Sequence, residues 1–163
     1  MKAVINATPL IALSLTDHLQ LLNQLFAEVY VPKSVYEEVV TQGRQRPGSD
    51  AVRKADWLVI QQPTLTSPIP VALMGLDIGE QDVILLGQEL EADWLVIDER
   101  LGRKIAQAMG FQVKGTLGLL LVACQLGILS RQDAAQIVDT LSSSSIRLSP
   151  RLITWFKGQL DAL

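Results

Sequence analysis

Five short apolar runs, "KAVIN", "EVYVP", "WLVIQQ", "WLVID" and "FQVKG", recur along the chain with amphipathic stretches between them. Runs that do not alternate polar with apolar residues fit strands buried on both faces. Short strands separated by helices call for a parallel sheet with helices packed on both sides. The fold class that follows is α/β: a three-layer α/β/α sandwich with a parallel central sheet. At 163 residues and 48% hydrophobic content the chain can bury one full core, so residues 1–163 read as a single domain.

The intervening segments carry their own punctuation. "TPLIALSLTDHLQLLNQLF" reads as one helix opened by Thr8, with Pro9 in a first turn where a missing N–H does no harm. "KSVYEEVVTQG" reads as a helix with Ser34 as N-cap and Gly43 as its end. "AVRKA" is part of another helix, and "PTLTSPIPVALMG" holds three prolines and cannot stay regular for long. "EQDVILLGQEL" is a helix whose Val83, Ile84 and Leu86 face inward. Further helices are predicted at 101–109, 116–126, 131–141 with Ser130 as cap, and 151–160 started by Ser149 and Pro150, with Ser142 to Ser145 as a polar joint.

Charge narrows the function classes. Fourteen Lys and Arg against 17 Asp and Glu give a formal charge of −3 and a pI near 5.1. No global positive field draws such a chain onto nucleic acid or an anionic membrane, and any nucleic-acid contact must be local. The lone Cys124 cannot form an intramolecular disulfide and reads as a small buried hydrophobe. The N-terminal apolar stretch is interrupted by Asn6, Thr8 and Pro9, unlike a secretion signal. The longest apolar run falls short of the ~20 residues that span a bilayer. The expectation is a soluble cytoplasmic protein with no membrane partner.

In an open parallel sheet, ligands sit in the crevice at the carboxyl ends of the strands. The polar residues expected there are Asn6 and Thr8 after the first strand, Glu37 and Glu38 in the helix after the second, Asp77, Glu80 and Asp82 ahead of the fourth, and Asp98 and Glu99 after it. Carboxylates gathered this way repel one another and raise each other's pKa unless a cation neutralises them. Oxygen-only donors favour Mg²⁺ or Mn²⁺ over zinc, since the single His18 is expected on the surface of the first helix. Each residue also has a plainer reading: a solvated helix face for Glu37 and Glu38, a macrodipole charge for Glu80 and Asp82, a cap of the helix near Leu101 for Asp98, and surface charge for Arg103 and Lys104.

The blocks "VINATPLIAL", "VYVPKSVYEEV", "LDIGEQDVILLGQEL", "DWLVIDERLGRKIA" and "FQVKGTLGLLLVACQLGIL" resemble, in order and spacing, those of the PIN-domain family, in particular the relatives of VapC-type toxin ribonucleases. The likeness runs from about Val4 to Leu129. It implies a divalent-metal-dependent endoribonuclease, using Mg²⁺ or Mn²⁺, often a homodimer and often held inactive by a small antitoxin protein. Carried over by position, the resemblance implies catalytic roles for Glu38, Glu80, Asp82, Asp98 and Glu99, and metal ligation by Asn6, Glu38, Asp82 and Asp98. It implies RNA contacts for Thr8, Arg100 and Arg103. Asn6 departs from the pattern, because the family has an acid there; an amide oxygen can ligate a metal but brings no charge.

Two other readings stand beside this one. The same fold with a weakened site would be a module that binds nucleic acid or a protein partner. A phosphoacceptor receiver-like domain would need a carboxylate pair after the first strand, and Asn6 is wrong for it. The cations of "RQR", Arg53-Lys54 and Arg100/Arg103/Lys104 could form one rim that guides RNA, but no aromatics interleave with them. Base stacking is therefore not expected, and Tyr30, Tyr36 and the three Trp are read as packing residues. The helix at 116–126 and the last helix, with Leu152, Ile153, Trp155, Phe156 and Leu160, are apolar enough to serve the core first and a dimer or antitoxin surface second.

Overall fold

The structure, a computed structural model, describes residues 1–43, 46–64 and 68–163. Arg44 of the "RQR" stretch and part of the proline-rich segment lie outside the described residues. The strands are β1 Lys2–Ile5, β2 Glu28–Pro32, β3 Leu58–Gln61, β4 Trp94–Val96 and β5 Gln112–Lys114. They form one sheet in the order β3-β2-β1-β4-β5, and every pairing is parallel. Helices α1 Ala7–Leu15, α2 Gln20–Leu25, α3 Lys33–Tyr36, α4 Ser49–Lys54, α5 Ile78–Glu89, α6 Arg100–Ala108, α7 Thr116–Gln125, α8 Arg131–Ser142 and α9 Pro150–Asp161 fill the connections and the C-terminal part. The result is the expected α/β/α sandwich.

The central strands are buried on both faces, as their composition requires. Ala3, Val4, Ile5, Val31, Leu95 and Val96 are fully out of solvent. The edge strand β3 departs from that pattern, with Val59 and Ile60 exposed, because an edge strand is flanked on one side only. Helix α5 packs across β1, β2 and β4 through Val83, Ile84 and Leu86, all at 0% exposure. At the other end of the chain, fully buried Phe156 anchors α9, which packs on α7 and α8. Truncating a phenylalanine of that kind costs about 3–5 kcal/mol. Ser130 and Ser149 cap α8 and α9 as expected, accepting from the amides of Asp133 and Leu152.

Four local expectations need correction. The first predicted helix is two, because the chain turns at Asp17 with φ +58°, a conformation Asp adopts more readily than most residues. Helix α1 begins after Asn6 rather than at Thr8, and His18 sits at the break, its ring bonded to the Thr16 carbonyl. The second predicted helix runs as α3 for one turn and then widens into a π-helical turn, Glu37–Thr41, closed by the Gln42 amide on the Glu37 carbonyl at 2.8 Å. Ser34 is not its cap: it lies inside α3, and Pro32 occupies the cap position.

Candidate active site

The strand order reverses at β1. The chain builds β2 and β3 to one side and β4 and β5 to the other, so the carboxyl ends of β1 and β4 flank the switch point. The Asn6 amide N–H bonds the Val96 carbonyl at 3.0 Å, and that of Ile97 bonds the Lys114 carbonyl at 2.9 Å. The ends of β1, β4 and β5 are thus tied in register, and Asn6 leaves the sheet beside Asp98 and Glu99.

Asn6, only 4% exposed, uses its side-chain amide to donate to Glu99 Oε2 at 3.1 Å. A carboxylate only accepts, so the NH₂ end of Asn6 must face it. The Thr8 hydroxyl donates to Glu99 Oε1 at 2.9 Å, which leaves Glu99 gripped by both predicted residues of the first loop. Glu80 is buried and held by a capping box: its amide donates to Asp77 Oδ1 at 2.8 Å, and its Oε2 accepts from the Asp77 amide at 3.1 Å. Helix α6 comes close to Glu80 because Gly102 has no side chain; a Cβ there would lie 3.2 Å from Glu80 Oε1. Glu38 stands on the π-helical turn, its side chain partly open to solvent.

The electrostatics show which of these groups share one space. Burial raises the Glu38 carboxyl above its ordinary range, the charges of Asp77 and Glu99 raise it further, and Arg46 opposes them. Glu80 is also raised, first by burial; the Asp77 backbone hydrogen bond works against this, and the charges of Asp77, Glu99 and Glu38 add to it. The charges of Asp77 and Glu99 therefore reach both Glu38 and Glu80, and these four carboxylates from three segments share one space beside Asn6. Asp77 was expected in the crevice but given no catalytic or metal-binding role, and its "D-x-x-E" spacing ahead of an apolar helix is the capping signature that the structure bears out.

The other predicted residues are arranged differently. Asp98 does not cap α6. Its carboxylate accepts from the Thr116 amide at 2.7 Å and the Thr116 hydroxyl at 2.6 Å, and so holds the start of α7. Burial raises Asp98 most; the two Thr116 bonds lower it, Glu99 raises it and Arg103 lowers it. Asp82 is buried on α5 two residues past Glu80, and accepts from the Ser34 hydroxyl at 2.5 Å. Arg100 and Arg103 are exposed at the start of α6. Arg103 joins Thr8, Asp98 and Thr116 in lining a cavity of about 380 Å³ that continues to Arg147 and Trp155.

Among the described residues, no three His, Cys, Asp or Glu side chains stand together closely enough to hold a metal ion as placed. The chemistry of the donor set nevertheless suits a hard divalent cation. All donors are oxygens, Glu38 and Glu80 are raised by burial and then by like charge, and among the described residues Arg46 is the cation that acts on Glu38. Glu38, Glu80 and Glu99 offer oxygens to such an ion only if they draw closer together than they stand here.

A parallel sheet with acidic side chains at its switch point defines an α/β protein of the kind that binds ligands at strand ends. Residues 2–161 match the family model DUF3368, described as a PIN domain. The chain belongs to the PIN-domain family, which supports a nuclease-type function and nucleic-acid binding in general terms. A search of curated proteins finds no match to the chain. No helix among the described residues is long and apolar enough to cross a membrane.

Proposed function

We propose that this chain is a single-domain, Mg²⁺- or Mn²⁺-dependent endoribonuclease, and that it acts in the cytoplasm as the toxin of a toxin–antitoxin pair. The observation that carries the reading is that Glu38 and Glu80, raised first by burial, are raised further by the charges of Asp77 and Glu99 beside the carboxyl ends of β1 and β4. An arrangement that costs free energy in the isolated chain is explained by a cation that relieves it. If these carboxylates held a divalent ion, it would supply an acidified water and positive charge to offset that building up on a phosphodiester under attack. The protein's own part is to fix the carboxylates: Asn6 and Thr8 orient Glu99, Asp77 orients Glu80, and Thr116 locks Asp98 at the edge of the site. Arg103, exposed on α6, would hold a phosphate of the RNA on this reading. A homodimer and a small antitoxin are the partners that the family resemblance implies.

A second reading is favoured by one specific contact. Asn6 stands where the family has an acid, and its amide already satisfies Glu99 without any metal. On that reading the chain binds RNA or a protein partner and does not turn over.

The two separate in one experiment. Glu38 has no hydrogen-bond role in holding the fold among the described residues, so Glu38→Gln removes a ligand while relieving repulsion. Calorimetric titration with Mn²⁺ should show binding in the native chain and its loss in Glu38→Gln and in Glu99→Gln. Cleavage of a single-stranded RNA should be lost with it. Absence of Mn²⁺ binding in the native chain would remove the enzyme reading.

A further inference from the structure

The cavity of about 380 Å³ beside the acidic pocket is not explained by the residues read as catalytic. It shares Thr8 and Asp98 with the site, and Thr8 is bonded to Glu99, so the two spaces are contiguous. Its outer wall comes from the C-terminal part of the chain: Arg147 on the α8–α9 connection and Trp155 on α9. Trp155 is 47% exposed, whereas Phe156 beside it is fully buried, so the core does not account for the indole. Arg103 and Arg147 are both exposed, and neither takes part in an ion pair among the described residues. Lys114 also lines the cavity, but its ammonium lies over the Trp94 ring at 5.7 Å. Gln107 adds an amide that can donate and accept.

We propose that this cavity is a nucleotide subsite, in which one nucleotide of a single-stranded RNA beside the cleaved bond lays its base on Trp155 and its phosphate against Arg103 and Arg147. The proposal rests on the ribonuclease reading and names how its substrate is held. An aromatic face with cations around it takes up any base and a backbone phosphate, the recurring recipe for single strands. Asp98, the anion in the wall, has both carboxylate oxygens bonded to Thr116, and the two guanidinium groups of the lining outnumber it. The size argues for a small occupant, since ligand pockets run from roughly 300 to 1,000 Å³. The charge argues for RNA: the chain as a whole is acidic, and here two unpaired guanidinium groups face one space next to the reacting groups. On this proposal Trp155 is the exception to the expectation that the tryptophans pack, as Trp57 and Trp94 do.

The test is fluorescence anisotropy of a labelled twelve-nucleotide single-stranded RNA with the full chain in EDTA, where binding is read without metal or cleavage. Trp155→Ala should weaken binding about tenfold and Trp155→Phe should restore most of it, as stacking requires. Arg147→Ala should lower the slope of log K against log salt by about 0.7, the signature of one lost phosphate contact on a single strand. Both sites are exposed, and unchanged circular dichroism will show that the variants fold. Binding equal to the native chain in Trp155→Ala and Arg147→Ala overturns the subsite. If the native chain still cleaves RNA with Mn²⁺, the ribonuclease reading survives that result. If the variants bind weakly as expected but the native chain never cleaves, the subsite stands and the catalytic reading falls. A native chain that binds no RNA overturns both. Conversion of a dimer to a monomer by Trp155→Ala, read by sedimentation, also overturns the subsite, because the face is then an interface between two copies.

Discussion

Asn6 and Glu99 form the contact on which the chemistry of this site turns. A neutral amide at the end of β1 donates to a carboxylate that would otherwise be one more member of a repelling group. Asn6→Asp exchanges that donor for a like charge at a position only 4% exposed. The lost bond and the new repulsion should cost about 1–3 kcal/mol in EDTA, which lowers the melting temperature by about 3–10 °C for a chain of this length. Excess Mn²⁺ should close most of the gap, because an added ligand strengthens binding to the folded state alone. Asn6→Asp that melts above the native chain in EDTA would show that the amide is not serving Glu99. Asp98 demands the opposite caution. Since it holds the first amide and hydroxyl of α7, Asp98→Asn should lose about 1–3 kcal/mol in urea titration with or without metal. Inactivity of that variant therefore says little about catalysis, and Glu38→Gln is the cleaner probe.

Elements carry the site through two close approaches, and one can be broken without touching a charged residue. Gly115 joins β5 to α7, and a Cβ there would lie 2.7 Å from Asp98 Oδ1. The carboxylate is short and doubly bonded to Thr116, so it cannot move aside without losing a partner. Gly115→Ala should cost about 1–3 kcal/mol by urea unfolding, whereas Gly102→Ala, whose Cβ would sit 3.2 Å from Glu80 Oε1, should cost less. Equal stability of Gly115→Ala and the native chain would mean that the Asp98–Thr116 link is not fixed. This junction also shows where the sequence was informative and where it was not. Apolar runs of strand length alternating with helices were enough for the sheet, for Asn6 and Glu99 just past strand ends, and for Glu80 in the first turn of the helix between them. The break at Asp17 and the π-helical turn under Glu38 carry no glycine or proline, so periodicity ran straight through them. Asp98 was visible, but its partner Thr116 lies 18 residues on in another element, and proximity across a sheet has no local signal. Arg147 and Trp155 meet Arg103 only because α9 folds back over α7 and α8, which is why the aromatic wall could not be read.

For the molecule as a whole, the uncompensated carboxylates tie stability to pH and to divalent ions. Glu38, Glu80 and Asp98 all have pKa values raised in the folded chain, each chiefly by burial. A raised carboxyl binds its proton more tightly when folded than when unfolded, so the folded state holds more protons as pH passes between the two values. The stability these groups lend is fully present below the unfolded carboxylate range and is lost as pH rises through the folded values. In EDTA the melting temperature should therefore fall as the buffer is taken from about pH 5 towards pH 8, the reverse of a protein whose acids are stabilised by ion pairs. Mn²⁺ competes with those protons for the same oxygens, so the stability it adds grows with pH. Scanning calorimetry across that range, with EDTA and then with excess Mn²⁺, should show a downward slope turned flat or upward by the ion. A slope that falls in EDTA and is unmoved by Mn²⁺ would mean that burial raises these carboxylates as described but that no divalent cation answers them.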